Sequence, residues 1–150
     1  MSTGARRGEL LSLCWADVDL KRGILTLRET KNSETRVVPL TGYALDILTH
    51  HAKIRRLDTS FVFPDRTGTR PLGIREAWDC AVKRAEITNF HSHDLRHSAA
   101  SYLAMNGASL MEIAEILGHK TLNMVKRYAH LSEAHTAGVV ARMNQAIFGQ

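Results

Sequence analysis

Ile24-Leu25-Thr26-Leu27 and, after the polar connection Lys31-Asn32-Ser33-Glu34, Thr35-Arg36-Val37-Val38 decide the fold class. Both runs are rich in β-branched and aliphatic residues that alternate with polar ones, the period expected of strands with one buried face. Pro39 lacks a backbone donor and is expected to end the second run. Lys21-Arg22-Gly23 precedes the first run and reads as a turn, with glycine supplying the permissive backbone. Trp15 to Leu20 suits a third short strand. About three antiparallel strands make too small a sheet to stand alone, so a helical layer is required.

The helical layer follows in the sequence. Glu9 to Leu13 reads as a short helix before the sheet. From Thr41, a plausible N-cap, the residues Tyr43, Leu45, Ile47, Leu48, Ile54 and Leu57 recur at helical spacing. Phe61 to Pro64 is a short extended piece, and Asp65 to Gly73 is a loop. Ile74 to Glu86 reads as a helix with Ala77, Trp78, Ala81 and Val82 inward. His93 to Met105 is another, closed by Asn106-Gly107. Ser109-Leu110-Met111-Glu112 is a capping box for a helix that Gly118 ends. Thr121 caps a helix through Ala129, and Ser132 caps one through about Ile147. The expected class is α+β, mainly α-helical, with a small antiparallel three-stranded sheet near the N-terminus. No repeat, low-complexity run or linker divides the 150 residues, the size of one ordinary domain.

Composition narrows the function classes. Hydrophobic residues make up 44% and charged residues 23%, the balance of a globular chain. The net charge of +5 favours a polyanionic partner, although a basic protein without one fits equally well. Cys14 and Cys80 are far apart and form neither a disulfide framework nor a zinc knuckle, which fits a reducing cytosol. Cys14, inside Leu13-Cys14-Trp15, reads as a small core residue. No apolar run is long enough to span a membrane, and Met1 to Arg7 lacks the apolar core of a signal peptide.

Several residues carry potential chemistry. In His93-Asp94-Leu95-Arg96-His97, helical spacing places positions 93, 96 and 97 on one face. Two imidazoles and a guanidinium at a helix start suit an anion, whereas any one alone would usually be a solvated polar residue. His at i and i+4 also raises a zinc site, but the residue after His93 is Asp rather than Glu, and Arg96 would set a fixed cation beside the metal. Metal is therefore the minority reading. Gly118 leaves His119 on an exposed turn, and Tyr128 follows Lys126-Arg127 nine residues later. A phenol has an ordinary pKa of about 10 and needs cationic surroundings or a base to act as a nucleophile. Taken alone, Tyr128 is more simply an amphipathic residue on a helix flank. Arg6 near a helix start, Glu9 three residues on and Lys31 between two strands are each commonplace in isolation.

Read in order, the chain offers Thr3-Gly4-Ala5-Arg6-Arg7-Gly8-Glu9-Leu10, then Lys31, then His93-Asp94-Leu95-Arg96-His97, then Leu117-Gly118-His119, then Arg127-Tyr128-Ala129-His130. This order closely resembles the catalytic domain of the tyrosine recombinases, the phage integrase family, from Thr3 to about His130. Leu13-Cys14-Trp15-Ala16-Asp17-Val18-Asp19 and Arg36-Val37-Val38-Pro39-Leu40 agree with it. The resemblance implies that Arg6 and Arg96 grip the scissile phosphate and that Lys31 protonates the leaving 5′-oxygen. It further implies that His93 is the general acid/base, that His119 hydrogen-bonds the phosphate and that Tyr128 is the nucleophile. Glu9 and His97 match supporting positions. The implied activity is site-specific DNA recombination through a 3′-phosphotyrosyl intermediate, with a zinc hydrolase and a purely DNA-binding fragment as the alternatives. The resemblance implies a double-stranded DNA partner, a cytoplasmic location, and no cofactor or metal. It also implies tetrameric self-assembly on DNA through the C-terminal tail, residues 131–150, where Val139, Val140, Met143, Ile147 and Phe148 offer an apolar face, although packing of these residues on the chain's own core is the simpler reading. Relatives carry an N-terminal DNA-clamping domain and helix residues ahead of the Thr-Gly-x-Arg motif, so the chain is expected to be a catalytic domain truncated at its N-terminus.

Overall fold

The computed structural model describes residues 1–28 and 35–149. Lys31, and with it the Lys31–Glu34 connection, lies outside the described residues. The chain divides into two compact units, Met1–Leu95 and Arg96–Gln150.

The first unit opens with α1 (Arg7–Leu11) and a single 3₁₀ turn at Trp15–Asp17. A three-stranded antiparallel sheet follows, in the order β1 (Val18–Asp19), β2 (Ile24–Arg28), β3 (Thr35–Pro39). The expected strand over Trp15–Leu20 is therefore mostly a 3₁₀ turn, and only its last part pairs. Arg28 donates to Asp17 from the neighbouring strand at 2.8 Å, which ties this turn to the sheet. Pro39 does not precede the end of β3 but forms it, opposite Ile24, at a position where no ladder donor is demanded of it.

The register pairs Leu25 with Val38 and Leu27 with Arg36. Leu25, Leu27 and Val38 point into a core shared with Leu13, Leu40, Leu48 and Val62. This core packs the sheet's inner face against α2 (Gly42–Lys53) and α1. Only Leu48 of α2 is fully buried, while Tyr43, Ile47, Ile54 and Leu57 are exposed, so the apolar stripe read from the sequence is wider than the face that packs. His51 of α2 lies between the rings of Trp15 and Phe63 and hydrogen-bonds the Val62 carbonyl at 2.7 Å. The next helix, α3 (Arg75–Arg84), buries no residue completely, and Ala77 and Ala81 are exposed rather than inward. Trp78 stacks on Phe90 at 5.6 Å between ring centroids.

The second unit is helical. It comprises α4 (Asp94–Met105) from Arg96 onward, α5 (Leu110–Leu117), a 3₁₀ turn at Leu122–Met124, a longer 3₁₀ segment at Lys126–Ser132, and α6 (Glu133–Phe148). Its core contains Ala100, Ala104, Ile113, Ala114, Leu117, Val125 and Tyr128. The helix expected through Ala129 is 3₁₀ instead. The buried residues Val125 and Tyr128 and the partly buried Leu131 are spaced by three, the repeat that aligns side chains in a 3₁₀ helix. Val139, Val140, Met143, Ile147 and Phe148 on α6 are all exposed. No helix among the described residues is long and apolar enough to cross a membrane.

Candidate active site

The candidate residues fall into two groups, one in each unit. In the first unit, Arg6 is the N-cap of α1 and Glu9 its third residue. The Glu9 carboxylate accepts from the Arg6 backbone N–H and from its guanidinium, both at 2.7 Å. It also accepts from Arg36 Nη2 at 2.8 Å. Glu9 thus fixes the backbone at the helix start and the direction of the Arg6 side chain together. Burial disfavours the charge on Glu9, but the Arg6 hydrogen bonds and the charges of Arg36 and Arg6 outweigh it and hold the carboxyl below its usual range.

Arg36 has no role in the sequence reading beyond its place in a matching motif. Its signal was nevertheless visible. On β3 it shares the inward face with Val38, and a cation on the buried face of a strand requires a partner. Glu9 is that partner.

His93 lies at the end of the first unit. It precedes α4 rather than belonging to it, in a turn closed by the bond from Asp94 N–H to the His91 carbonyl. The expectation that 93, 96 and 97 share one helical face is corrected here: only Arg96 and His97 are on the helix.

The second unit contains Arg96, His97, His119 and Tyr128. The structure builds His119 into a helix end. Ser109 Oγ accepts from Glu112 N–H at 3.2 Å and the Glu112 carboxylate accepts from Ser109 N–H at 2.7 Å, completing the capping box at the start of α5. At the other end Gly118 takes the left-handed conformation (φ 65°). Its N–H donates to the Glu115 carbonyl and that of His119 to the Ala114 carbonyl, the paired bonds of a Schellman motif. His119 is held by the backbone immediately after the helix and is half-buried, with Nδ1 inaccessible, rather than standing on an exposed turn. Gly118→Ala is expected to cost about 1–2 kcal/mol, because a Cβ strains the left-handed backbone. Urea denaturation measures that loss.

Arg96 is 4% exposed, the one charged residue among the described buried side chains. Its Nη2 donates to the carbonyl of Leu117, the last residue of α5. A helix C-terminus carries partial negative charge and unpaired carbonyls, so the guanidinium satisfies both. The same bond aligns Arg96 with the Gly118–His119 corner.

Tyr128 is 5% exposed and lies in the buried cluster with Val125 and Leu117. His97 Nδ1 lies 2.6 Å from the Tyr128 hydroxyl, with the rings tilted by 40°. Burial pushes the phenol pKa above 10.0, while the charges of Arg127 and Arg96 pull it back. At neutral pH the phenol is therefore protonated, and the two arginine charges offset part of what burial costs its phenolate. Among the described residues no three His, Cys, Asp or Glu side chains converge as a metal-ligand set.

The sequence model of the phage integrase family matches residues 1–135. The shufflon-specific DNA recombinase of Escherichia coli is 39% identical over 132 residues, covering 87% of this chain and 33% of that protein. The integrase of Salmonella phage P22 is 33% identical over 163 residues, covering 99% of this chain and 41% of that integrase. Among solved structures, the catalytic domain of bacteriophage HP1 integrase superimposes with a TM-score of 0.69 at 30% identity, covering 99% of this chain and 80% of that one. This chain spans well under half the length of the two curated relatives. With the family model matching nine-tenths of its residues and the same fold in a solved relative, the chain belongs to the phage integrase family of tyrosine recombinases.

Proposed function

We propose that this chain is the catalytic portion of a site-specific DNA recombinase that cuts one strand of duplex DNA through a 3′-phosphotyrosyl bond to Tyr128 and then rejoins it. The observation that carries this reading is the grouping of Tyr128 with Arg96, His97 and His119 in one helical unit of a chain belonging to this family. The name of the E. coli relative, a shufflon-specific DNA recombinase, supports DNA as the substrate.

Each residue has a part that its chemistry fits. Attack on a phosphodiester builds negative charge on the non-bridging oxygens. Arg6 and Arg96 offer planar guanidiniums that donate paired hydrogen bonds there, which an ammonium matches less well. Glu9, together with Arg36, holds Arg6 in place. His119 donates to the phosphate. His93 serves as general acid/base, and Lys31 protonates the leaving 5′-oxygen. One well-placed acid contributes roughly 10²–10⁴-fold. The phosphotyrosyl bond retains the energy of the broken phosphodiester, so rejoining needs no ATP, and arginines neutralise the charge a metal would otherwise take.

Residues 1–150 act as the catalytic domain, on DNA in the cytoplasm. The exposed apolar residues of α6, including Val139, Met143 and Phe148, support self-assembly on DNA through the C-terminal tail, as a tetramer.

Nicked duplexes that trap the covalent intermediate test the reading. The chain is expected to form an adduct that survives denaturation and is lost in Tyr128→Phe. Binding that weakens steeply with salt but yields no adduct would instead make the chain a DNA-binding module.

A further inference from the structure

The sequence assigns His97 no more than a supporting place, yet in the structure it is the group that meets the reactive oxygen. Its Nδ1 stands 2.6 Å from the Tyr128 hydroxyl, inside normal hydrogen-bonding distance for an O–H donor. His97 is on α4 and Tyr128 lies 31 positions along the chain, on a different element, so the contact is made by tertiary packing. Both ends of the pair are fixed. Arg96, the preceding residue on α4, is buried and bonded to the end of α5. Tyr128 belongs to the buried cluster that includes Val125 and Leu117, both 0% exposed.

We propose that His97 accepts the phenolic proton of Tyr128 as that oxygen attacks the DNA phosphodiester. The inference rests on the reading of Tyr128 as the nucleophile and gives the tyrosine proton to His97 in place of His93, the general acid/base of that reading. The Tyr128 O–H bond breaks and its proton passes to His97 Nδ1. The Tyr128 oxygen bonds to phosphorus, the bond from phosphorus to the 5′-oxygen breaks, and the 5′-oxygen takes a proton from Lys31. Rejoining reverses each transfer: the 5′-hydroxyl attacks, the tyrosyl oxygen leaves, and His97 returns the proton to it.

Three features favour proton acceptance over simple tethering. The buried phenol keeps its proton at neutral pH, so it is the natural donor of this bond and Nδ1 the acceptor. An imidazole with an ordinary pKa of about 6.5 is a base matched to neutral pH. Finally, the charges of Arg127 and Arg96 offset part of the rise that burial imposes on the phenol's pKa, and so favour the phenolate as the proton leaves. A short hydrogen bond to an uncharged amide would position the ring equally well but would take no proton.

His97→Asn separates the two roles, because its side-chain oxygen stands close to where Nδ1 was and still accepts the hydroxyl. Adduct formation is measured in single turnover with a pool of nicked duplexes of randomised sequence around the nick, from pH 5.5 to 10. Wild type is expected to accelerate through the imidazole range and then level off. His97→Asn is expected to be about 100-fold slower or worse at pH 7 and to keep gaining rate up to pH 10, as the small fraction of phenolate grows. A variant that matches wild type in rate and pH profile overturns the inference and leaves His97 a positioning residue. Nitrogen-15 NMR of the wild-type imidazoles needs no variant. Nδ1 of His97 unprotonated at pH 7, with the proton on Nε2, supports the inference, and a protonated Nδ1 overturns it. Absence of adduct from wild type itself overturns the functional reading and this inference with it, an outcome distinct from loss in the variant alone.

Discussion

Arg96→Ala is expected to reduce covalent adduct formation by about 10³-fold or more, and Arg96→Lys is expected to recover little of it. Removing one preorganised donor from a developing oxyanion costs about 10²–10³ in rate, and Arg96 would supply two such donors from one planar group. Its position adds to the loss. The guanidinium is anchored on the last carbonyl of α5, next to Gly118 and His119, so its removal also frees the corner that places His119. It further deletes one of the two charges that draw the Tyr128 pKa downward, leaving the phenol harder to ionise. Lysine restores the charge but neither the fork nor both contacts. Single-turnover cleavage of a nicked duplex measures the effect. Circular dichroism and retained salt-dependent DNA binding confirm that a folded protein is being assayed. A loss of less than tenfold would remove Arg96 from the phosphate site.

Ile113→Ala is expected to cost about 2–5 kcal/mol, the range for deleting a large aliphatic side chain from a packed core. Ile113 is 0% exposed and lies in the cluster that includes Ala100, Ala104, Leu117, Val125 and Tyr128. The neighbouring alanines have no side-chain length with which to fill the space, so the cavity persists and the cost falls toward the upper end. Domains of this size are stable by only about 5–15 kcal/mol, so the change removes a large share. The same cluster is the floor beneath Tyr128, and the variant should lose cleavage rate below its melting transition as well as stability. Urea denaturation measures the first effect and adduct formation at low temperature the second. By contrast, Met111→Ala on the exposed side of the same helix is expected to change stability little.

The sequence disclosed most where local rules decide. The period-2 runs at Ile24–Arg28 and Thr35–Pro39 became paired strands. Ser109, Glu112 and Gly118 delimited α5 to the residue, because capping and a left-handed glycine are properties of a few neighbouring positions. Misreadings arose where tertiary packing chooses. Trp15–Asp17 has strand-like residues but coils into a 3₁₀ turn held by its partners Arg28 and Ser60. Val125 and Tyr128 suit an α-helix or a 3₁₀ helix equally in sequence, and burial of every third residue selects the latter. Tyr43 and Ile47 match the helical stripe of α2 yet remain exposed, since periodicity reports which residues share a face and not whether anything covers it.

The candidate site shows the same division. The motifs named Arg6, Glu9, Lys31, His93, Arg96, His119 and Tyr128. They left Arg36 without a role, although its place on the inward face of β3 called for a counter-charge. They gave His97 a minor one, because a contact between residues 31 positions apart leaves no trace in spacing. The role of Lys31 rests on its motif alone.

The central claim is that Tyr128 becomes joined to DNA. Mass spectrometry of peptides from the trapped adduct tests it most directly. The predicted result is one modified peptide carrying a 3′-nucleotide on the Tyr128 oxygen, with a free 5′-hydroxyl on the released strand. Attachment to another residue, or strand cutting that leaves free DNA ends and unmodified Tyr128, would contradict it.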